Sequence, residues 1–168
     1  MLRSRLVGGL AALFVVAPAS LEAQTQASQT QASQEDEVVS VAYAALEAVS
    51  REDMVALTDL MLDEAFVVAV GGPEGSTEYR SRSRAVERAQ VFDADIVERG
   101  FDPEVRISGR LATVWLPYDL YVDGAWSHCG IDTFTLLRVG AEWRIASLAY
   151  TVEQPPACRE HPDGPPGG

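Results

Sequence analysis

Four consecutive strand-like segments in the C-terminal half constrain the fold of this chain more than any other feature. They are rich in Val, Leu, Ile, Thr and aromatic residues and cover residues 104–108, 110–122, 125–139 and 142–152. Asp123 and Gly124 form a strong two-residue hairpin signal between the second and third segments, and Gly140 with Ala141 forms a weaker one. The three long segments are therefore predicted to be antiparallel neighbours in one sheet.

Helical patterns precede these strands. Apolar residues at helical intervals predict a first helix between Ser33 and Val49, and a second stripe predicts another helix over residues 54–62. Residues 65–70 form a short apolar run that suits a buried strand, and a third helix should begin near Ser83. Because helices and antiparallel strands occupy separate parts of the chain, the predicted fold class is α+β, with a curved antiparallel sheet wrapped around the N-terminal helices.

The two ends of the chain differ in composition from its centre. Two arginines and a short apolar run predict a secretory signal peptide over residues 1–23, so the mature protein is expected in the periplasm or secreted by a bacterium. Residues 24–34 contain a tandem repeat of small and polar residues and are predicted to be a flexible linker. Pro and Gly dominate the tail, residues 153–168. The folded domain is therefore predicted to span residues 35–152.

The charge and the residue types exclude several classes of function. The net charge of -12 opposes binding to nucleic acid, and no apolar run after the signal peptide is long enough for a membrane helix. The chain has no lysine, which excludes Schiff-base catalysis and a P-loop. His128 and Cys129 are neighbours on a predicted strand and point to opposite faces, so they cannot both bind one metal ion. We expect neither a metal site nor a cofactor.

The chain has two cysteines, Cys129 and Cys158. In an exported protein they favour a disulfide, which would close a loop of about 29 residues and tie the tail to the sheet. Two free thiols are the first alternative. A nucleophilic Cys129 is the second.

The hairpin signal also predicts which residues of neighbouring strands face each other. A two-residue turn places Asp119 opposite His128 and Trp115 opposite Asp132, with all four side chains on one face of the sheet. Cross-strand neighbours lie close enough for proton transfer, so Asp119 and His128 are predicted as an acid–base pair. Asp132 is the third catalytic candidate. The alternative is that His128 and Asp132 are satisfied polar residues without a catalytic role.

The same face of the sheet is predicted to line a cavity. Phe134 falls on it by alternation, together with other large apolar residues, so it should face the helices. Pro117 cannot donate a hydrogen bond to a neighbouring strand, and a bulge there would turn Asp119 outward and Tyr118 inward. The predicted ligand contacts are Tyr43, Trp115, Tyr118 and Phe134.

Five segments together resemble the nuclear transport factor 2-like superfamily, in particular its SnoaL-like and small exported lumazine-binding-type members. They are residues 109–115, 118–121, 123–124, 126–134 and 142–145, of which 128–134 is the most specific. The resemblance implies a cone-like α+β fold. It also implies a homodimer through the outer sheet face, where the predicted apolar residues are Val114, Leu116, Leu120, Ile131, Leu137 and Leu148.

The function predicted from these observations is an exported domain that binds a small hydrophobic or aromatic molecule, with no assigned catalysis. Relatives in the superfamily include isomerases, dehydratases, cyclases and binding modules, so the resemblance does not select a reaction. The first alternative is therefore a cofactor-independent isomerase, dehydratase or cyclase that uses acid–base residues in the cavity. The second alternative is a protein-interaction module.

Overall fold

A computed structural model describes residues 19–73 and 76–167. Most of the predicted signal peptide, residues 1–18, lies outside the described residues. The first compact unit of the chain ends at Ala32 and the second begins at Ser33. None of the helices in the described part of the chain combines the length and the apolar character needed to cross a membrane.

Within the described residues, helices come first and most strands follow. The helices are α1 (Ala19–Ser50), α2 (Met54–Asp59) and α3 (Arg84–Arg88). The strands are β1 (Met61–Gly71), β2 (Tyr79–Ser83), β3 (Ile96–Gly100), β4 (Glu104–Ser108), β5 (Leu111–Val122), β6 (Ala125–Val139) and β7 (Glu142–Val152). This order confirms the predicted α+β class, and β2 and β3 are short strands that the sequence pattern did not predict.

The strands form one sheet in the order β2-β1-β7-β6-β5-β3, and β4 pairs with the same edge of β5 as β3 does. Strands β5, β6 and β7 are antiparallel neighbours, as the hairpin signals predict. Strands β1 and β7, however, pair in parallel, so the sheet is mixed rather than purely antiparallel. Strands β1 and β7 are far apart in the chain, so no short turn between them requires an antiparallel pairing.

Residues 24–34, predicted as a flexible linker, are helical and belong to α1. The repeat is built from Gln, Ala, Ser and Thr and contains neither Gly nor Pro. Gln and Ala have high helix propensity, and nothing in the repeat breaks a helix that continues into an apolar stripe. The structure therefore has a helix where the sequence predicted a flexible linker.

In the second unit, the helices cover the inner face of the sheet. Val38, Ala42 and Ala45 from α1 join Leu116 of β5 and Phe134 of β6 in one buried cluster. Asp53 begins α2, where its carboxylate accepts a hydrogen bond from the Ala56 backbone N–H. The Oγ of Ser83 accepts one from the Val86 N–H at the start of α3, at the predicted position.

One extra residue in β6 changes the predicted pairing with β5. Beside the turn, Val122 pairs with Ala125 and Tyr121 pairs with Trp126, as a two-residue hairpin requires. Ser127 has no partner on β5, and beyond it His128 pairs with Leu120. This bulge shifts the register by one residue and exchanges the two faces of β5 relative to β6. The prediction was therefore right for the inner face of β6 and wrong for that of β5.

The predicted outer apolar face is corrected by the same shift. Val114, Leu116 and Leu120 are buried on the inner side, and a second irregularity beside Ala146 in β7 places Leu148 in the core as well. Of the six residues predicted for a dimer face, Ile131 and Leu137 remain outside that buried set. The homodimer therefore stays a prediction that has lost most of the residues proposed for it.

The tail packs against the outer face of β5 and β6. Cys129 and Cys158 are joined in a disulfide with a Cα–Cα distance of 5.9 Å. The backbone groups of Cys129 and Glu153 exchange two hydrogen bonds, of 3.1 and 2.9 Å. The His161 backbone N–H donates to Asp119 Oδ2 at 2.8 Å. Much of the predicted Pro/Gly-rich tail is thus anchored to the sheet.

Candidate ligand-binding site

A cavity of about 320 Å³ lies between the helices and the inner face of the sheet in the second unit. Its wall is mainly apolar and comes from all three helices and six strands, with two residues from the segment after α3. The apolar lining residues are Ala45, Leu46, Val49, Met54, Leu57, Val67, Phe92, Ile96, Leu120, Val122 and Leu148. The polar lining residues are Arg80, Arg82, Glu87, Gln90, Glu98, His128, Asp132 and Tyr150. A mainly apolar cavity with converging polar groups is typical of a site for a small molecule.

Asp132 is the most deeply buried acid of this wall, with 2% of its surface exposed. Its cross-strand neighbours are Leu116 on β5 and Tyr150 on β7. Its Oδ2 is buried and has no hydrogen-bond partner. Burial raises the pKa of this carboxyl well above its ordinary value, and the nearby charge of Glu98 raises it further. Burial therefore favours the protonated form of the Asp132 carboxyl.

Glu98 is a second acid in the cavity wall and was not predicted from the sequence. It is held by the end of α1, where Ser50 Oγ accepts a hydrogen bond from the Glu98 N–H at 2.8 Å and donates one to the Glu98 carbonyl at 3.1 Å. Burial raises the pKa of its carboxyl to about 8. Two acids with raised pKa values therefore share one cavity, and they influence each other through their charges.

His128 lines the cavity on the same strand as Asp132. Burial lowers the pKa of its imidazole below the ordinary value, so the ring is neutral at neutral pH. Ser127 Oγ lies 3.1 Å from its Nδ1, and the ring of Tyr118 meets it edge to face at 5.9 Å between centroids. A neutral imidazole in a cavity wall can accept or relay a proton.

A further set of polar side chains in the cavity wall comes from β2, α3, the segment after α3 and β7. Arg82 forms an ion pair with Glu87, and its Nη2 donates to the Tyr150 hydroxyl at 3.3 Å. Burial alone would lower the pKa of Arg82, but these hydrogen bonds raise it above the ordinary value. Gln90, which also lines the cavity, has a buried Nε2 without a hydrogen-bond partner.

The structure separates the candidates predicted from the sequence. His128 and Asp132 line the cavity, but Asp119 does not. It pairs with Cys129 rather than His128 in the β5–β6 register. Its side chain lies on the outer face, where it is fully buried and bonded to Arg99. The predicted Asp119–His128 pair is therefore wrong, because the bulge at Ser127 moves Asp119 to the opposite face.

The predicted ligand contacts also divide. Trp115 is 50% exposed on the outer face, which the register shift explains, and Tyr43 is 37% exposed and absent from the cavity wall. Phe134 is fully buried in the core cluster and does not line the cavity. Tyr118 is buried but does not line the cavity, and its hydroxyl donates to the Thr151 carbonyl at 2.7 Å. Tyr118 shapes the site from behind His128 and is not itself part of the lining.

Sequence reasoning missed Glu98, Gln90 and the Arg82–Glu87 pair as cavity residues. The Ile-Val that precedes Glu98 was the only strand signal for β3, a strand of five residues. Arg82 lies on the edge strand β2, where its neighbours are exposed. From the sequence, its charge was therefore expected to be solvated. No group of three or more His, Cys, Asp or Glu in the described part of the chain could hold a metal ion.

No protein-family model and no curated protein matches the chain. Solved structures do match it. A protein from Silicibacter pomeroyi, described as NTF-2 like and of unknown function, is 22% identical and superposes with a TM-score of 0.55 over 73% of this chain and 98% of that one. An NTF2-like protein from Novosphingobium aromaticivorans is 15% identical, with a TM-score of 0.61 over 82% and 91%.

A third solved structure is described as a proposed scytalone dehydratase, also from Novosphingobium aromaticivorans. It is 10% identical, with a TM-score of 0.59 over 79% of this chain and 99% of that one. These similarities cover most of the chain and nearly all of each neighbour. At such low identity they establish the shared fold and no shared activity.

Proposed function

Because the chain has a nuclear transport factor 2-like fold over most of its length, we propose that its cavity binds a small, mainly apolar molecule. The observation that carries the proposal is a buried carboxyl, Asp132, with an unpaired oxygen in an apolar wall. Leaving such an atom unpaired costs about 1 to 3 kcal/mol. A protein without a ligand to bind gains nothing from this cost, because an apolar residue would fill the position better.

Binding can be tested with Nile red, an uncharged dye that fluoresces in apolar sites. Ala45 lines the cavity, so Ala45→Leu should fill part of the space and weaken dye binding about tenfold or more. Val139→Leu is the matched control, because Val139 is half-exposed at the end of β6, outside the cavity. Equal binding to both variants would place the dye elsewhere and contradict the proposal.

Mass spectrometry of molecules retained through purification would identify the natural ligand.

Acid–base catalysis is the second candidate function, and the Glu98–Asp132 pair favours it. One carboxyl that keeps its proton can donate to a carbonyl oxygen, while an ionised partner or neutral His128 takes a proton from the adjacent carbon. The product is an enol, from which a neighbouring hydroxyl could leave as water. This chemistry would suit an isomerase or a dehydratase, and one fold neighbour is described as a proposed dehydratase.

Proton transfer can be measured without knowing the substrate. In deuterated water, a bound methyl ketone such as acetylnaphthalene should exchange its methyl protons faster with the protein than without it, as NMR would show. Asp132→Asn and Glu98→Gln should each slow this exchange at least a hundredfold. Glu142→Gln, at an exposed carboxylate outside the cavity, should not. Binding without exchange would leave the protein a binding domain.

We also propose that the protein is exported and then cleaved. The sequence of the N terminus supports this proposal, and a disulfide is typical of oxidising compartments. Expressed in a bacterium, the mature chain should begin at Gln24 when its N terminus is sequenced. A cytoplasmic protein that retains residues 1–23 would contradict the proposal.

A further inference from the structure

We infer that the ligand is a neutral molecule with two polar groups on an apolar body, a hydroxyl that meets Asp132 and a carbonyl or other acceptor that meets Gln90. This inference rests on the proposed binding function and specifies its ligand. Two side chains in the wall have buried polar atoms without a partner, Asp132 Oδ2 and Gln90 Nε2. One is an oxygen that pairs with a hydroxyl, and the other is an amide donor that needs an acceptor.

The backbone around Gln90 keeps its amide at the cavity. Gln90 follows the end of α3 directly, and its backbone N–H donates to the Glu87 carbonyl at 3.1 Å. The Gln90 Nε2 has no hydrogen-bond partner among the neighbouring polar groups, of which Arg82 and Glu87 are paired with each other. The Gln90 amide is therefore the donor that this side of the cavity leaves available.

Asp132 and Gln90 are connected by a series of contacts along one side of the cavity. Asp132 is the cross-strand partner of Tyr150, whose hydroxyl accepts a hydrogen bond from Arg82. Arg82 pairs with Glu87, which lies one helical turn before Gln90. The two residues with unpaired atoms thus lie along one side of the same cavity.

The charged groups around the two unpaired atoms favour a neutral ligand, because Arg80, the other cation of the lining, is exposed to solvent. Arg82 is neutralised by Glu87 within the protein, so this pair offers no free charge to an anion. Asp132 is buried, which disfavours a negative charge on its carboxyl, so this group does not favour a cation. Burying an ionic group in the remaining apolar wall would cost several kcal/mol. A hydroxyl and a carbonyl carry no such cost.

The experiment uses 6-acetyl-2-naphthol and the three analogues that lack its hydroxyl, its acetyl group or both. Calorimetry should show that removal of the hydroxyl weakens binding to the unmodified protein about tenfold, and removal of the acetyl group likewise. In Asp132→Leu the hydroxyl should no longer matter, while the acetyl group still does. In Gln90→Leu the reverse should hold. Gln154→Leu, at an exposed glutamine, should behave like the unmodified protein.

Each other outcome has a defined meaning. If all four compounds bind equally, the cavity binds apolar molecules but the two-group inference is wrong. If none binds, the proposed function fails and the inference fails with it. If aminomethylnaphthalene binds more tightly than acetylnaphthol, the ligand is a cation and the inference is overturned. Because these comparisons begin with changes to the ligand on the unmodified protein, they do not depend on whether a variant folds.

Discussion

Asp119 and Arg99 form a two-point ion pair behind the sheet, with Arg99 Nε 3.0 Å from Asp119 Oδ1 and Arg99 Nη2 2.6 Å from Oδ2. Asp119 has no exposed surface. The tail adds two hydrogen bonds to this ion pair. The backbone N–H of His161 donates to Asp119 Oδ2, and the Gly164 carbonyl accepts from Arg99 Nη1. An acid predicted to do chemistry is thus a link between the sheet and the tail.

Loss of one member of this pair should destabilise the protein strongly. Arg99→Met leaves the Asp119 carboxylate buried without its partner, and we expect a loss of about 3 to 5 kcal/mol in the free energy of unfolding. Urea denaturation measures the loss. Arg51→Met removes the exposed pair with Glu47 and should cost less than about 1 kcal/mol. Equal losses in the two variants would show that the Asp119–Arg99 pair is not coupled to folding.

The free energy of unfolding should fall as the pH rises from 6.5 to 8. The folded protein keeps the proton on Glu98 until the pH reaches about 8, whereas the unfolded chain releases it near 4.5. Asp132 acts in the same direction. The folded state binds more protons in this window, so each pH unit should cost up to about 1.4 kcal/mol for each such carboxyl.

His128 has the opposite effect below pH 6.5, because its lowered pKa makes the folded state bind fewer protons there. The window above 6.5 therefore isolates the two acids. Glu98→Gln and Asp132→Asn should each flatten the dependence when urea midpoints are compared across pH. Glu142→Gln, at an exposed carboxylate, should leave it unchanged. A midpoint that rises from pH 6.5 to 8 in the unmodified protein would exclude protonated acids in the cavity.

Removal of the disulfide should lower stability by about 3.5 kcal/mol, since Cys129 and Cys158 are separated by 29 positions and the link restricts the unfolded chain. The double variant Cys129→Ser with Cys158→Ser measures this loss in urea. Dithiothreitol should destabilise the unmodified protein by a similar amount and leave the double variant unchanged. Equal sensitivity of both proteins to dithiothreitol would contradict a structural disulfide.

Gly130 should not tolerate even a methyl group. A Cβ at this position would overlap the Thr151 carbonyl oxygen and lie 2.6 Å from Thr151 Oγ1, and the first of these is backbone that cannot turn away. We expect Gly130→Ala to cost at least about 1 to 3 kcal/mol, measured by thermal unfolding. Thr133→Ala on the same strand should cost less. Tyr118, whose hydroxyl donates to the same carbonyl, should show altered fluorescence in Gly130→Ala.

Much of the sheet could be predicted because its signals are local. Strands β4, β6 and β7 begin and end where their β-branched and aromatic residues do, and Asp123-Gly124 turns the chain as such pairs do. The side of β6 that faces the cavity was also predictable, since His128, Asp132 and Phe134 alternate regularly.

The cavity could be predicted only in part, because one unpaired residue decides the register. Nothing in the composition around Ser127 indicates a bulge there, yet it determines that Leu120 rather than Asp119 lies beside His128. Glu98 was missed for a different reason. It lies on a five-residue strand whose place in the sheet depends on contacts with Ser50, far away in the chain. Long-range hydrogen bonds of this kind leave no local pattern.

The parallel pairing of β1 with β7 also sets an order of events during synthesis. Val67 pairs with Leu148, about 80 positions later, so β1 emerges from the ribosome long before its partner exists. The apolar residues that β1 contributes to the core must wait until nearly the whole domain has been made. A nascent chain cut short before β7 would therefore lack its sheet centre and expose those residues, which makes it a substrate for chaperones and proteases rather than a partly working domain.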